Sequence, residues 1–333
     1  MTTIIAGREV EIGDPWFDDG NIILVTHNEP TAFLLHRGVL SRHSDIFKDM
    51  FEVGQPADED NDAASRQVVV MYDNPADLSS LVKALYDGVS SDPNDPNDFF
   101  QLAGVLRLAT KYCAQRIRSQ AIRFLIYTWS HTIQGHDLMT VTAMTTDAVD
   151  DLTYPFVHPL HVLNLARETD VEVLIPSATY FLSVYPLSEI LAGDHPKLAI
   201  KHPSRPTSQL SPADLQSYTL MFQHRVHVGL DFIRRTCGKW TSPTPGCSNP
   251  ECPKAFSRLV SRLQRSWNPR TAAIFFMLQV SHEAMATDRI CPSCRKVFVT
   301  EVEALRSEVW DKLPSVVGLS SWEELVKRDL GSI

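Results

Sequence analysis

Five of the six cysteines fall between positions 237 and 294: Cys237, Cys247, Cys252, Cys291 and Cys294. Cys247 and Cys252 stand in "CSNPEC", a C-x4-C pair, and Cys291 and Cys294 in "CPSC", a C-x2-C pair. Loops this short let two thiolates converge on one ion, and two such pairs supply the four sulfurs of a tetrahedral Zn2+ site. Pro250, Pro253 and Pro292 stiffen the turns, so less chain entropy is lost when the ligands converge. Four sulfurs fill the shell and leave no place for water, so the expected ion is structural rather than catalytic. The 38 residues between the pairs read as two helices. One ion tying the ends of that hairpin removes unfolded-state entropy worth about 4 kcal/mol on the disulfide estimate. The alternatives are thiols that are simply buried, or redox chemistry at the C-x-x-C pair. Cys237 and His282 are spare ligands. Cys113 lies in an apolar helical stripe and reads as a small buried residue.

Nothing else nominates a reactive centre. His158 and His161 are three apart, as are His224 and His227, but no nearby carboxylate or cysteine completes a metal shell, so all four read as surface or core-edge histidines. "HEAMA" at 282–286 begins like a zinc-protease helix but has Ala286 where the second histidine belongs. No G-x-S-x-G, G-x-G-x-x-G or phosphate-binding loop occurs, and the expectation is a protein without catalytic activity. Residues 223–270 hold nine Arg or Lys against Asp231 and Glu251, with Arg258, Arg262 and Arg265 on one helical face. That face reads as solvated; contact with DNA through 223–270, as in a transcriptional regulator, is the alternative.

The elements that must position these residues are carried by a chain of 333 residues, 44% hydrophobic and 21% charged, an ordinary globular composition. The net charge of −9 is uneven: residues 1–100 carry 19 acidic and 6 basic side chains. A nucleic-acid partner is therefore not expected. No signal peptide or membrane-length apolar run is read, and the expected location is cytoplasmic or nuclear. Along the chain, 16–26, a turn signal at Asp19-Gly20 and then a strand, and 31–37 predict a hairpin, and Ser44 caps a helix over 45–51. A polar loop follows at 54–66, then a strand at 67–73, and a helix at 74–89 capped by Asn74 with Pro75 at its first position. Residues 99–129 read as helix in one or two pieces, and 158–191 as short helices punctuated by Pro176 and Pro186. Residues 192–211 read as an exposed loop, with further helices at 212–236, 253–265, 269–286 and 298–312. The last stops at Pro314, and Ser321 caps a short tail helix.

The block His36, Arg37, Val39, Leu40, Ser41, Ser44, Phe47, Met50, Phe51, followed by Leu106, Leu108, Ala109, Lys111 and Tyr112, resembles the BTB/POZ domain. More narrowly it is similar to the BTB proteins abundant in mushroom-forming (basidiomycete) fungi, which residues 165–167, 176–180, the cysteines and the terminal tryptophan motifs also resemble. Asn21 stands where the family usually has Asp. The resemblance implies an α+β fold, a small sheet flanked by helices, over 15–130. A helical extension at 131–211 and a mostly helical region with the cysteine cluster at 212–333 complete the chain. It further implies a protein-interaction module that homodimerises, and in many members bridges a cullin scaffold to a substrate for ubiquitination. Cullin-binding members often carry an apolar-x-Glu motif after the helix; Val53–Ala57 lacks it. The expectation is an adaptor with a dimerising BTB domain and a zinc-pinned C-terminal region.

Overall fold

The computed structural model describes residues 2–5, 7–52, 66–92, 95–145, 157–242, 247 and 249–331. The polar loop expected at 54–66 and the Val53–Ala57 stretch lie outside the described residues, apart from Arg66. The chain divides into two compact units. One comprises 1–127, 164–171 and 200–207; the other comprises 128–163, 172–199 and 208–333.

The first unit is built on a five-stranded sheet in the order β1-β2-β4-β3-β5. Its strands are β1 (Thr2–Ile5), β2 (Arg8–Ile12), β3 (Ile22–Thr26), β4 (Thr31–Leu35) and β5 (Gln67–Met71). The expected hairpin is β3 with β4, antiparallel from Ile22 opposite Leu35 to Val25 opposite Ala32. β5 runs parallel to β3, with Leu24 opposite Val69. Side chains alternate across a strand, so this register sorts Ile22, Leu24, Phe33, Leu35, Val69 and Met71 onto one buried face. The opposite face holds a smaller cluster of Val10, Ile23, Ala32 and Leu34.

Five helices follow: α1 (Arg37–His43), α2 (Asp45–Glu52), α3 (Pro75–Asp87), α4 (Pro96–Lys111) and α5 (Gln115–Thr128). Of these, α2, α3 and α4 are capped by the side chains of Ser44, Asn74 and Asp95. Ser44 Oγ accepts from Phe47 N at 3.0 Å and donates to Tyr112 O at 2.6 Å, joining the start of α2 to the end of α4. Asn74 Oδ1 accepts from Ala76 N at 2.8 Å. α3 and α4 approach so closely that a Cβ on Gly104 would meet Asp77 Oδ1 at 2.6 Å. The stretch 99–129 is two helices, and the break corrects the reading of Cys113. It sits between them with φ +52° and is exposed rather than buried.

Two downstream pieces complete this unit. Arg107 pairs with Asp77 Oδ2 at 2.8 Å and with Glu168 Oε2 at 3.0 Å, and also donates to Ser204 O. His202 stacks on Phe100 with ring centroids 5.3 Å apart, and Arg118 donates to Asp170 O.

The remaining helices are α6 (Ile133–Thr145), α7 (Pro159–Glu168), α8 (Ile175–Leu182), α9 (Leu187–Ala192), α10 (Pro196–Ala199), α11 (Pro212–Asp231), α12 (Glu251–Ser266), α13 (Ala273–Ala286), α14 (Pro292–Val316) and α15 (Trp322–Leu330). In the second unit an aromatic core gathers around His136, whose ring lies 4.8 Å from Trp310 and 5.2 Å from Phe181. Trp310 Nε1 donates to His131 O, Trp322 Nε1 donates to Trp310 O, and Ser321 with Glu324 forms a capping box for α15.

Four expectations are corrected here. His158 and His161 are fully buried, not at the surface or the core edge. The segment 192–211 is not simply an exposed loop, because it carries α10 and buries Lys197, Leu198 and Ser204. α14 begins at Pro292 and runs through Pro314, since a proline in the last turn forfeits one amide bond and the helix ends only two residues on. Arg225, counted in the basic stretch as solvated, is buried; its guanidinium donates to Ser183 Oγ, Ser183 O and Thr271 O.

Candidate metal centre

α12 and α14 both start at the cysteine pairs. Cys252 is the second residue of α12, Cys291 caps α14, and Cys294 lies in its first turn. Helix N-termini carry unsatisfied amides and a positive dipole end, which favour thiolates. The structure brings the four predicted residues together: the sulfurs of Cys247, Cys252, Cys291 and Cys294 all lie within 4.8 Å of one another. Cys247 Sγ and Cys291 Sγ are 3.8 Å apart. Tetrahedral Zn2+ with bonds of about 2.3 Å places its sulfurs roughly 3.8 Å apart, so the spacing fits that ion. Four such thiols could bind a metal ion. Cys237 and His282 are not in this group; Cys237 is buried in the apolar core, which pushes its thiol up to about 12.

The electrostatics follow the geometry. The Cys294 backbone amide donates to Cys291 and lowers its thiol to about 7, assisted by the neighbouring thiols. Cys291 N in turn donates to Cys252 Sγ at 3.2 Å. Burial raises the Cys252 and Cys294 thiols, and the adjacent sulfurs add to this. Like charges so close cannot all ionise without a cation among them. A metal would supply that charge and hold α12, α14 and the Cys247 segment to one point; the chain supplies ligands, amide donors and an apolar shell of Phe256, Phe298, Trp240 and Ile290.

One supporting residue was missed from sequence. Arg295 donates to the carbonyls of Met285 at 2.9 Å, Thr287 at 2.6 Å and Ile290 at 3.1 Å. It thereby fixes the turn between α13 and Cys291. Its partners are backbone atoms, which leave no signature in a sequence.

In the first unit, the block that carried the family resemblance does structural work. Leu40, Phe47 and Phe51 are buried. Arg37 Nη2 donates to Phe51 O at 2.9 Å, and His36 Nδ1 lies 3.0 Å from the Tyr86 hydroxyl. Residues 21–128 match the family model for the BTB/POZ domain. The chain carries a BTB/POZ domain. No curated protein and no solved structure is a significant match to the chain. A BTB/POZ domain is a protein-interaction domain and generally not an enzymatic one, which supports an interaction or adaptor role. Among the described residues no helix is long and apolar enough to cross a membrane.

The basic stretch downstream is largely neutralised. Arg235, Lys239, Lys254, Arg262 and Arg270 form ion pairs with Asp231, Glu301, Glu251, Glu283 and Glu189 respectively. With Arg225 buried, Arg234, Arg258 and Arg265 remain without an ion-pair partner among the described residues.

Proposed function

We propose that this chain is a non-enzymatic adaptor that homodimerises through its BTB/POZ domain and presents a zinc-pinned, helical C-terminal region to a partner protein. The observation that carries the reading is the BTB/POZ match over 21–128. The likeness of the later motifs to BTB proteins of mushroom-forming fungi supports kinship with that group. BTB domains commonly bind partners such as cullins, and bridging a cullin scaffold to a substrate for ubiquitination is the adaptor role we propose. The four clustered sulfurs support a structural Zn2+ held by Cys247, Cys252, Cys291 and Cys294. DNA contact through 223–270 has less support, because ion pairs and burial take up most of that segment's charge.

Light scattering on the purified protein at micromolar concentration should give twice the chain mass; monomer alone rejects the dimer. Co-purification with a cullin scaffold tests the ligase role separately, and failure to capture it leaves an adaptor of some other assembly. Elemental analysis should find about one zinc per chain.

A further inference from the structure

Next to the cysteine cluster, α12 and α13 enclose a groove of about 280 Å³. Ala255, Leu259, Ala284 and Ile290 give it an apolar floor, and Arg258, Arg262, Arg265 and Arg289 stand on its rim with a single carboxylate, Glu283. Arg262 spends its charge on Glu283. Arg258, Arg265 and Arg289 make no ion pair within 4 Å among the described residues, and all three are exposed; Glu251 acts on Arg258 and Arg289 at longer range, but its own contact is with Lys254. The floor, and the turn that carries one rim residue, are fixed. Leu259, Ala284 and Ile290 are buried, and the Arg295 guanidinium holds the turn that carries Arg289.

Exposed guanidiniums in excess over carboxylates around an apolar trough call for a ligand with the reverse pattern: carboxylates or phosphates outside and aliphatic side chains inside. We propose that this groove is the docking site for an acidic peptide segment of a partner protein, one that alternates acidic and aliphatic residues. This deepens the adaptor reading and rests on it. Charge complementarity selects the occupant. The three arginines of α12 span seven residues, about 10 Å at the helical rise. An extended peptide repeats same-side residues about every 6.8 Å, so two or three acidic side chains fit that span. The same distance covers only two or three nucleotides, and among the described residues no aromatic side chain lines the groove to stack a base. The chain's net charge of −9 also opposes a polyanion more than it opposes a short acidic segment.

The experiment is fluorescence anisotropy with the full chain and a labelled peptide of alternating glutamate and leucine. Parallel probes are a peptide with lysine in place of glutamate and a labelled single-stranded oligonucleotide. The expected result is saturable binding of the acidic peptide that weakens with salt, and none of the lysine peptide. The double variant Arg258→Glu/Arg265→Glu should bind the acidic peptide at least about tenfold more weakly, and Arg123→Glu, an exposed residue outside the groove's lining, should bind like the parent. Both groove arginines are exposed, and the double variant's helical circular dichroism and zinc content should equal those of the parent. Loss of zinc in the double variant would mean that the arginines balance the cluster's charge instead, and would overturn the proposal. So would an oligonucleotide that binds more tightly than the acidic peptide, or an acidic peptide that fails to bind a protein shown to be dimeric and zinc-loaded. Peptide binding by a protein that proves monomeric or free of zinc would uphold the groove while rejecting that part of the adaptor reading.

Discussion

Cys247 Sγ lies 3.8 Å from Cys291 Sγ although 44 positions separate the two residues. Van der Waals contact alone gives thiols no reason to gather in fours, whereas a shared cation does. Cys252→Ser and Cys291→Ser should each reduce zinc content from about one per chain to near zero. Each should also lower the unfolding free energy by up to about 4 kcal/mol, the loop-closure estimate. Plasma mass spectrometry and denaturant unfolding check both. Full metal content in the Cys291→Ser protein would remove that residue from the shell.

Arg295 should act on the cluster without touching it. Arg295→Ala frees the carbonyls of Met285, Thr287 and Ile290 and lets the turn before Cys291 move. Residues that orient metal ligands typically contribute 10–100-fold in affinity. Competition with a chromogenic zinc chelator should show a loss of about that size. Arg295→Lys should restore little, because a single ammonium cannot span three carbonyls held by a planar fork.

Acid should destabilise the fold well before ordinary carboxylates titrate. Burial, with a smaller contribution from Arg306, lowers His136 from 6.5 to about 3. Burial, then His195, His161 and Lys197, lowers His158 from 6.5 to about 2. Between pH 6.5 and these values the unfolded chain binds protons that the folded chain refuses, so stability is complete above 6.5 and falls as pH drops. Each residue contributes about 1.4 kcal/mol per pH unit in that window. Urea midpoints at pH 7.5, 6.0 and 5.0 should decline accordingly. His136→Phe should flatten the slope by roughly one proton, whatever it does to stability at neutral pH. An unchanged slope would place the lost protons elsewhere.

In the first unit, Arg107→Ala leaves Asp77, 6% exposed at its side chain, without its cation. Stripping one partner from a buried pair costs about 3–5 kcal/mol; with Arg107 itself 27% exposed, about half that is expected. Thermal melts of Arg107→Ala and of the double variant Arg107→Ala/Asp77→Asn should show partial recovery in the latter. A double variant no more stable than the single one would count against the pair.

How much of this was legible depended on how local the cause was. The gathering of the cysteine pairs was readable because the spacing within each pair is a short-range pattern. Ser44 and Asn74 were readable for the same reason: a cap acts within three residues. β1 and β2 were not: they are about as short as β3, β4 and β5, but β1 buries no residue and β2 buries only Val10 among the charged Arg8, Glu9 and Glu11, so neither offers an apolar run. Cys113 misled because helical periodicity does not announce the one residue at which a helix breaks. The contribution of 164–171 and 200–207 to the first unit depends on Arg107 meeting a carboxylate 61 positions away and a carbonyl 97 positions away. No periodic pattern reports a contact at that range.

That long reach sets an order of events on the ribosome. The Arg107 guanidinium emerges long before Glu168 and Ser204, so for that interval Asp77 is its only acidic partner of the three contacts. At synthesis rates of roughly 5–20 residues per second, the nascent sheet and its helices wait several seconds for their final braces. The N-terminal unit is thus finished only once residues 200–207 have been made, well after its sheet and first five helices.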